Sequence, residues 1–553
     1  MDVQRYKIRL MPQGEDLSAA EGQNLLEALA EAGIFLRSDC GGKGVCGKCY
    51  VKILDPTLVE SQPVSASEKN ILGDISIKSG CRLACRVNVQ SDLSIEIPEG
   101  AFSSPEVVQK PPLSKMLHID LSPSQQLSRR SKDYGFAVDL GTTTIAVYLC
   151  DLANSCVTAS VSVKNPQVLF GEDVISRINA VLKDRSLLRR LQKMVVRAIE
   201  WGAVSLLKSN QIDDESIRKM VVVGNSTMMH LFLAEDPSSL GVSPYHPKFV
   251  EERISKADIL RFRFYDAVNV LTLPLISGFL GSDIVGAALA TGIKNTDNGT
   301  MLIDVGTNGE VMLRGNRELL GTSCATGPAF EGATLRHGMP AVSGAIDAVK
   351  IDPEKGHVSC SLIQNNPERP KKAAGICGSG VVSAVAELLR AGILSESGRF
   401  NSDLRHPNIC AGEDGVLEFV LASSGDTETN RPITLTQKDI RAVQLAKGAL
   451  ITGIELLCRE MALDRPKKLL VAGGFGSYLN KEDAMTIGMF PRLPEDDIQV
   501  VGNAAGEGAV LALLYSDFRR KAKELAETTR VVDLAADPAF QETFFGSLIY
   551  PEP

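Results

Sequence analysis

The chain has 553 residues, too many for one hydrophobic core, so two or more domains are expected. Hydrophobic residues make up 44% and charged residues 23%, ordinary for a soluble globular protein. A net charge of −8 argues against a general nucleic-acid binder, and no apolar run approaches the ~20 residues that span a bilayer. The segment from Met1 to Lys7 has no apolar signal core, so a cytoplasmic protein without membrane attachment is expected. Of twelve cysteines, eight lie scattered between Cys81 and Cys458, which suits a reducing compartment. The other four, Cys40, Cys46, Cys49 and Cys85, form a pattern.

Residues 1–98 read as a small β-rich domain. Arg5 to Leu10 alternates as a strand, and Ser18 to Ala32 has helical spacing, with Asn24, Leu25, Leu26, Leu29 and Ala30 on one face. The stretch from Cys40 to Cys49 holds four glycines in ten residues, a poor core element. Such a loop wraps backbone amides around a compact anionic object. Tyr50 to Leu54 follows as a strand, and Cys85 comes much later. The spacing is C-x5-C-x2-C, then 35 residues, then C. Iron–sulfur clusters take four thiolates, and plant-type centres use spacings close to this. A structural zinc more often shows two C-x2-C knuckles. Cys81, four residues before Cys85, competes for the fourth place. The segment resembles the adrenodoxin-like [2Fe–2S] ferredoxins, with five residues in the first gap and Arg82-Leu83-Ala84-Cys85 around the last ligand. That resemblance implies a β-grasp fold, ligands Cys40, Cys46, Cys49 and Cys85, and Cys81 as a bystander.

Residues 99–133 are punctuated by Pro105, Pro111, Pro112 and Pro123 and rich in Ser and Gln. They read as a semi-rigid linker, with His118 to Leu121 as a possible short strand and Arg129-Arg130 as a solvated charge run.

A first lobe, 134–292, opens with Phe136-Ala137-Val138-Asp139-Leu140-Gly141-Thr142-Thr143-Thr144. An apolar strand ends on an acid, a glycine turns the chain, and three threonines lead into a second strand. The amides and hydroxyls of Thr142, Thr143 and Thr144 suit phosphate oxygens. Asp139 would repel phosphate, so a hydrated Mg²⁺ is expected between them. Leu187 to Ser209 reads as a helix. Met220 to Val223 reads as a buried strand ending in Asn225 and Thr227, which face either the γ-phosphate region or only their own turn. His230 reads as a core histidine. Asp283, in the first turn of a small-residue helix from Val285 to Thr291, reads as a cap.

A second lobe, 293–553, repeats the grammar: Ile303-Asp304-Val305-Gly306-Thr307-Asn308-Gly309-Glu310. Gly321 to Gly332 reads as a loop, too small and polar for a core strand. Gly375 to Gly380 leads into a helix, and Gly378 there is a candidate nucleotide contact or a packing turn. Residues 395–432 read as loop. Thr436 and Asp439 form a capping box for a long helix. A third glycine-rich turn, Ala472-Gly473-Gly474-Phe475-Gly476-Ser477, would let a flat ring lie against the backbone. Asn503 to Ala509 opens another small-residue helix, and the aromatic tail, Phe540 to Tyr550, is expected to dock on the protein's own surface.

The three turns, in this order, resemble the first phosphate, second phosphate and adenosine motifs of the acetate kinase, sugar kinase, Hsp70 and actin ATPase superfamily. The resemblance implies a two-lobed α/β ATPase with duplicated RNase H-like lobes. Asp139 and Asp304 are the candidates for Mg²⁺, and Glu310 or Glu331 the candidates to assist the water. Phosphates would lie on Gly141, Thr142, Thr143, Thr144, Gly306, Thr307 and Asn308. Adenosine would lie near Gly378, Gly473 and Gly474. The whole order of ferredoxin, linker and ATPase resembles the reductive activators of corrinoid proteins. That family implies an ATP-dependent electron transfer from a [2Fe–2S] cluster to a Co(II) corrinoid, restoring Co(I). It also implies a corrinoid protein partner, a cellular low-potential electron donor and a homodimer. The rival readings are a small-molecule kinase, or an ATP-binding redox sensor, with a regulatory ferredoxin.

Overall fold

The computed structural model describes residues 4–38, 40–55, 63–104, 106–107, 133–263, 268–306, 308–332, 335–352, 357–364, 371–401, 404, 406–412, 415–473 and 479–552. Most of the expected linker, with His118 and Arg129-Arg130, therefore lies outside the described residues.

The front domain contains β1 (Arg5–Met11), β2 (Glu15–Ala20), α1 (Leu25–Ala32), β3 (Tyr50–Ile53), α2 (Ala66–Lys78), β4 (Cys81–Leu83) and β5 (Leu93–Glu96). The sheet runs β2-β1-β5-β3-β4, with β1 parallel to β5 and antiparallel to β2. Ile8, Leu25, Leu29, Val51 and Ile95 fill the core between sheet and α1. The helix expected from Ser18 starts only at Leu25, because residues 15–20 pair with β1 instead. Asn24 is not on an apolar face. Its side chain caps α1 at Leu26 N and donates to Cys85 O at 3.0 Å. The helix α2 carries a Ser65/Glu68 capping box. A fully buried Glu68–Arg82 ion pair, 3.1 Å, fastens it to β4.

The first lobe contains β6 (Glu106–Val107), β7 (Tyr134–Leu140), β8 (Thr144–Asp151), β9 (Cys156–Lys164), α3 (Val174–Lys183), α4 (Leu187–Asn210), β10 (Ile217–Gly224), α5 (Ser226–Leu233), β11 (Arg253–Lys256), β12 (Asn269–Thr272) and α6 (Ser282–Thr291). The second contains β13 (Thr300–Val305), β14 (Gly309–Arg314) and β15 (Leu319–Cys324), then two small sheets. These are β16 (Ala345–Ile351) with β17 (Val358–Leu362) and β18 (Gly375–Ile376), and β19 (Ile409–Ala411) with β20 (Leu417–Ala422) and β21 (Ile433–Thr436). The helix α7 (Gly378–Arg390) lies between β18 and β19 in the chain. After β21 come α8 (Gln437–Glu460), β22 (Lys468–Ala472), β23 (Ile498–Gly502), α9 (Ala504–Leu514), α10 (Ser516–Thr528), β24 (Thr529–Val531) and α11 (Phe540–Gly546).

The two large sheets share one plan. In the first, β12-β10-β7-β8-β9 stand side by side; in the second, β23-β22-β13-β14-β15 do. Each is a three-strand antiparallel meander followed by two strands parallel to its first. The duplication read from two hairpins is thus a duplication of whole sheets. Gly321, expected in a loop, sits in the middle of buried β15. Its neighbours pair with β14 through the backbone, which small residues allow as well as large ones. Within residues 395–432, β20 is also a strand. The aromatic tail docks as expected. Tyr550 is buried, and Lys447 Nζ and Gln444 Nε2 donate to Ile549 O and Leu548 O.

The lobes meet where α6 crosses α9. Both helices are built of small residues, and Gly286 faces Gly508 backbone to backbone. A Cβ on Gly508 would run into Gly286 O, a main-chain atom with no room to swing away. Glycine to alanine inside a helix ordinarily gains about 1 kcal/mol, but overpacking costs about 1–3 kcal/mol. Gly508→Ala is therefore expected to lower the melting temperature, whereas Gly546→Ala, with open space around it, is expected to leave it unchanged. Thermal unfolding of the two variants checks this.

Candidate cluster and nucleotide sites

All four glycines of the loop between Cys40 and Cys49 lie in the left-handed region, with φ of 59°, 83°, 72° and 72° at Gly41, Gly42, Gly44 and Gly47. No side-chain residue takes that path easily four times, so the loop is shaped by its glycines. It presents its sulfurs in two pairs. Cys49 Sγ lies 3.4 Å from Cys85 Sγ, both buried. Cys40 and Cys46 share a hydrogen bond, assisted by the amides of Val45, Cys46 and Gly44. Together these pull the Cys40 thiol down to about 4, while the Cys46 thiol is pushed up. The charge of Cys40 is felt at Cys49 and Cys85, so the pairs are neighbours. Among the described residues, no three His, Cys, Asp or Glu side chains converge as ligands of a single ion. Two thiol pairs side by side fit a dinuclear cluster, one pair per iron, better than a mononuclear ion. Cys81 stands apart. Its sulfur meets Ser79 Oγ at 3.8 Å and its backbone pairs with Lys52 in the sheet.

The nucleotide motifs converge from both lobes. Asp139 and Asp304 occupy equivalent places near the ends of β7 and β13. Asp283, read from the sequence as a cap, joins them at the N-terminus of α6. It does not cap the helix, whose N-cap is Gly281 without a side-chain bond; its Oδ1 accepts from the next residue, Ile284 N, at 2.8 Å. Each of the three carboxyls is half-buried. Burial pushes Asp139 up to about 6, offset by the Asn503 amide. Asp283 rises to about 7, through burial and then the charge of Asp139. Asp304 rises to about 8, through burial and then Asp283 and Asp139. Glu310 lies opposite Asp304 in the hairpin and is raised further, again first by burial. The three carboxyls feel one another's charge without converging as direct ligands of one ion, which suits a hydrated Mg²⁺ held through its waters.

Several side-chain bonds already join the lobes, two of them at the motifs. Asn503 Nδ2 donates to Asp139 Oδ2 at 2.9 Å, and Thr143 Oγ1 donates to Glu331 Oε2 at 2.8 Å. Glu331 sits in a short turn, Pro328–Glu331, beside Gly306. Asn225 caps α5 and donates to Thr142 Oγ1 at 2.9 Å, so it holds the turn that carries the threonines. His230 is a core residue: Nδ1 meets Ser226 O, Nε2 accepts from Lys248 N, and the ring stacks on Phe249. Gly141 and Thr142 lie on the first turn, Thr144 opens β8 and Asn308 lies on the second turn. Gly473 touches Asp304, bringing the third turn to the second. Gly378 opens α7, which packs on β16 and on the turn that carries Glu331. Thr307 and Gly474 lie outside the described residues. Asp283, Asn503 and Glu331 gain their meaning only when α6, α9 and the Pro328 turn are brought together.

Three domain models match in series: a 2Fe-2S iron-sulfur cluster binding domain over residues 8–90, the RACo middle region over 134–296, and the C-terminal ASKHA domain of RACo over 298–553. A solved structure, a reductive activator for corrinoid, iron-sulfur protein, is 30% identical, covers 99% of this chain and 98% of its own, and superposes with a TM-score of 0.71. The chain belongs to this family of reductive activators. The corrinoid activation enzyme RamQ of Eubacterium limosum is 28% identical over 592 aligned positions, spanning 97% of this chain and 98% of that protein. A [Co(II) methylated amine-specific corrinoid protein] reductase of Methanosarcina barkeri is 24% identical over 66% of this chain and 67% of its own length. Family membership makes the chain an ATP-coupled redox enzyme, with a [2Fe–2S] cluster, ATP and Mg²⁺ as cofactors. Among the described residues no helix is long and apolar enough to cross a membrane.

The two thiols at the end of the front domain separate cleanly by experiment. Cys85→Ser is expected to abolish the visible cluster absorbance after anaerobic reconstitution with iron and sulfide. Cys81→Ser is expected to retain it, with an unchanged iron content.

Proposed function

We propose that the protein reduces the Co(II) corrinoid of a methyl-transfer corrinoid protein to Co(I), one electron at a time, with Mg-ATP assisting. The observation that carries this reading is one folded body with both cofactor sites on it. Four thiols pair at the front, and a cation-seeking cleft lies behind.

In this reading Cys40 and Cys46 hold one iron, and Cys49 and Cys85 the other. When bound, the cluster supplies a one-electron reductant, plant-type centres lying near −400 mV. The amides around Cys40 stabilise thiolate charge. Asp139 and Asp304, with Asp283, orient a hydrated Mg²⁺. The amides and hydroxyls of Thr142, Thr143 and Thr144, with Gly306, Thr307 and Asn308, receive phosphate oxygens. Gly473, Gly474 and Gly378 line the adenosine side. Glu310, opposite Asp304 in the hairpin, would accept a proton from the attacking water only when a bound cation keeps it ionised, and Glu331 positions Thr143 across the cleft. Mg-ATP joins groups from both lobes, so its hydrolysis releases their grip on one another. Shifting such an equilibrium from 1:99 to 99:1 takes about 5.5 kcal/mol of differential binding.

The partner is a cobalamin-bearing methyl carrier, the electron comes from a low-potential cellular donor, and the working unit is a homodimer. Exposed apolar side chains at Leu445, Phe545 and Ile549, on α8 and its docked tail, support self-association. The test mixes the reduced protein with a Co(II) corrinoid protein and follows the Co(I) absorbance. Mg-ATP is expected to accelerate Co(I) formation, and Cys46→Ala or Asp304→Ala to abolish it. Normal reduction by both variants contradicts the assignment.

A further inference from the structure

Three consecutive carbonyls of the first phosphate turn are tied down by two residues, Asn165 and, from α3, Arg177. Asn165 Nδ2 donates to Gly141 O at 2.9 Å, Arg177 Nη2 to Thr142 O at 2.7 Å, and the Asn165 amide to Thr143 O at 2.8 Å.

The segment that Asn165 opens, Pro166–Phe170, is also the shelf under the cluster loop. A Cβ on Gly41 would stand 3.2 Å from Val168 Cγ2, and one on Gly42 3.0 Å from Leu169 Cδ2. Lys43 Nζ pairs with Glu172 Oε1 at 2.6 Å, and Lys164 Nζ donates to Ser38 O at 2.8 Å. Leu169 packs against the front-domain core. In return Phe35 packs against the first-lobe core, 5.0 Å from Trp201. Thus residues 165–172 touch the phosphate turn on one side and the cluster loop on the other.

Arg177 pins this segment. Its side chain is fully buried, with Nε to Gly171 O at 3.0 Å and Nη1 to Gln167 Oε1 at 3.2 Å, besides the bond to Thr142. Among the described residues it has no carboxylate at ion-pair distance; Asp173 and Glu331 act on it only from further away. Burying an uncompensated charge costs several kcal/mol, so packing alone is a poor reason to place one here. A nucleotide phosphate arriving at the turn supplies the missing negative charge.

We propose that Asn165 and Arg177 are positioning residues that make phosphate turn and cluster loop one mechanical unit, so that nucleotide occupancy and cluster redox state bias each other. This rests on the function proposed above. Such coupling is reciprocal: whatever factor separates nucleotide affinity in the two redox states must also appear as a shift in midpoint potential.

The test uses the full-length protein reconstituted with its cluster. It measures the affinity for a Mg-bound, non-hydrolysable ATP analogue in the oxidised and reduced states. It also measures the midpoint potential with and without that analogue. The expected difference is about fivefold or more in affinity, which at 59 mV per tenfold for one electron corresponds to roughly 40 mV. The double variant Val168→Ala/Glu172→Gln touches neither cysteines nor phosphate turn. It should keep the wild-type affinity in the oxidised state and lose most of the difference between states. Arg177→Lys, which keeps the charge but not the fork, should lose it too. Equal affinities in both states, or a difference undiminished in the shelf variant, would overturn the inference while leaving the proposed function standing. A protein that binds the analogue in neither state would overturn both.

Discussion

Half-buried carboxylates that feel one another's charge set the terms for this molecule. Asp139 comes from one sheet, Asp304 from its duplicate, and Asp283 from the helix between them. Burial raises all three, and mutual repulsion adds to it at Asp283 and Asp304, so the three ionise together only at a cost. Protein groups offset little of it: the Asn503 amide reaches Asp139, and the Ile284 amide reaches Asp283. A hydrated divalent cation would remove the cost and attract phosphate in the same act. The close passage of Gly286 past Gly508 is what lets the helices bring the groups together.

The front domain is set on this machine rather than hung from it. The sequence reading placed the ferredoxin on a proline-rich arm. The structure seats it on the first lobe through Arg190 with Glu27 and Glu31, at 2.8 and 2.6 Å, and through the shelf under Gly41 and Gly42. The open side of the cluster loop is marked by Val45, 65% exposed, whereas Gly41 and Gly42 face the shelf.

Much of this was legible in the chain. Asp139-x-Gly141 and Asp304-x-Gly306 are local patterns, and a hairpin needs only neighbours to form. The cysteine spacing and the Thr436/Asp439 capping box were readable for the same reason. What escaped depends on distant partners. Asp283 looks like any first-turn acid until α9 crosses α6. Arg177 is one arginine among several in amphipathic helices, and nothing nearby in sequence marks it as the pin of the phosphate turn. The strand through Gly321 escaped because backbone pairing, not side-chain pattern, builds it. By contrast α2 had a readable signal, Ser65 and Glu68 in capping-box spacing, that was passed over.

The account stands or falls on whether the buried carboxylates wait for a cation. Its most direct measurement is calorimetric titration of the protein with ATP, in Mg²⁺ and again in excess chelator. Bare triphosphate would face Asp139, Asp283 and Asp304 unshielded, so binding is expected to be strong with Mg²⁺ and lost in chelator. Equal affinity under the two conditions would contradict it.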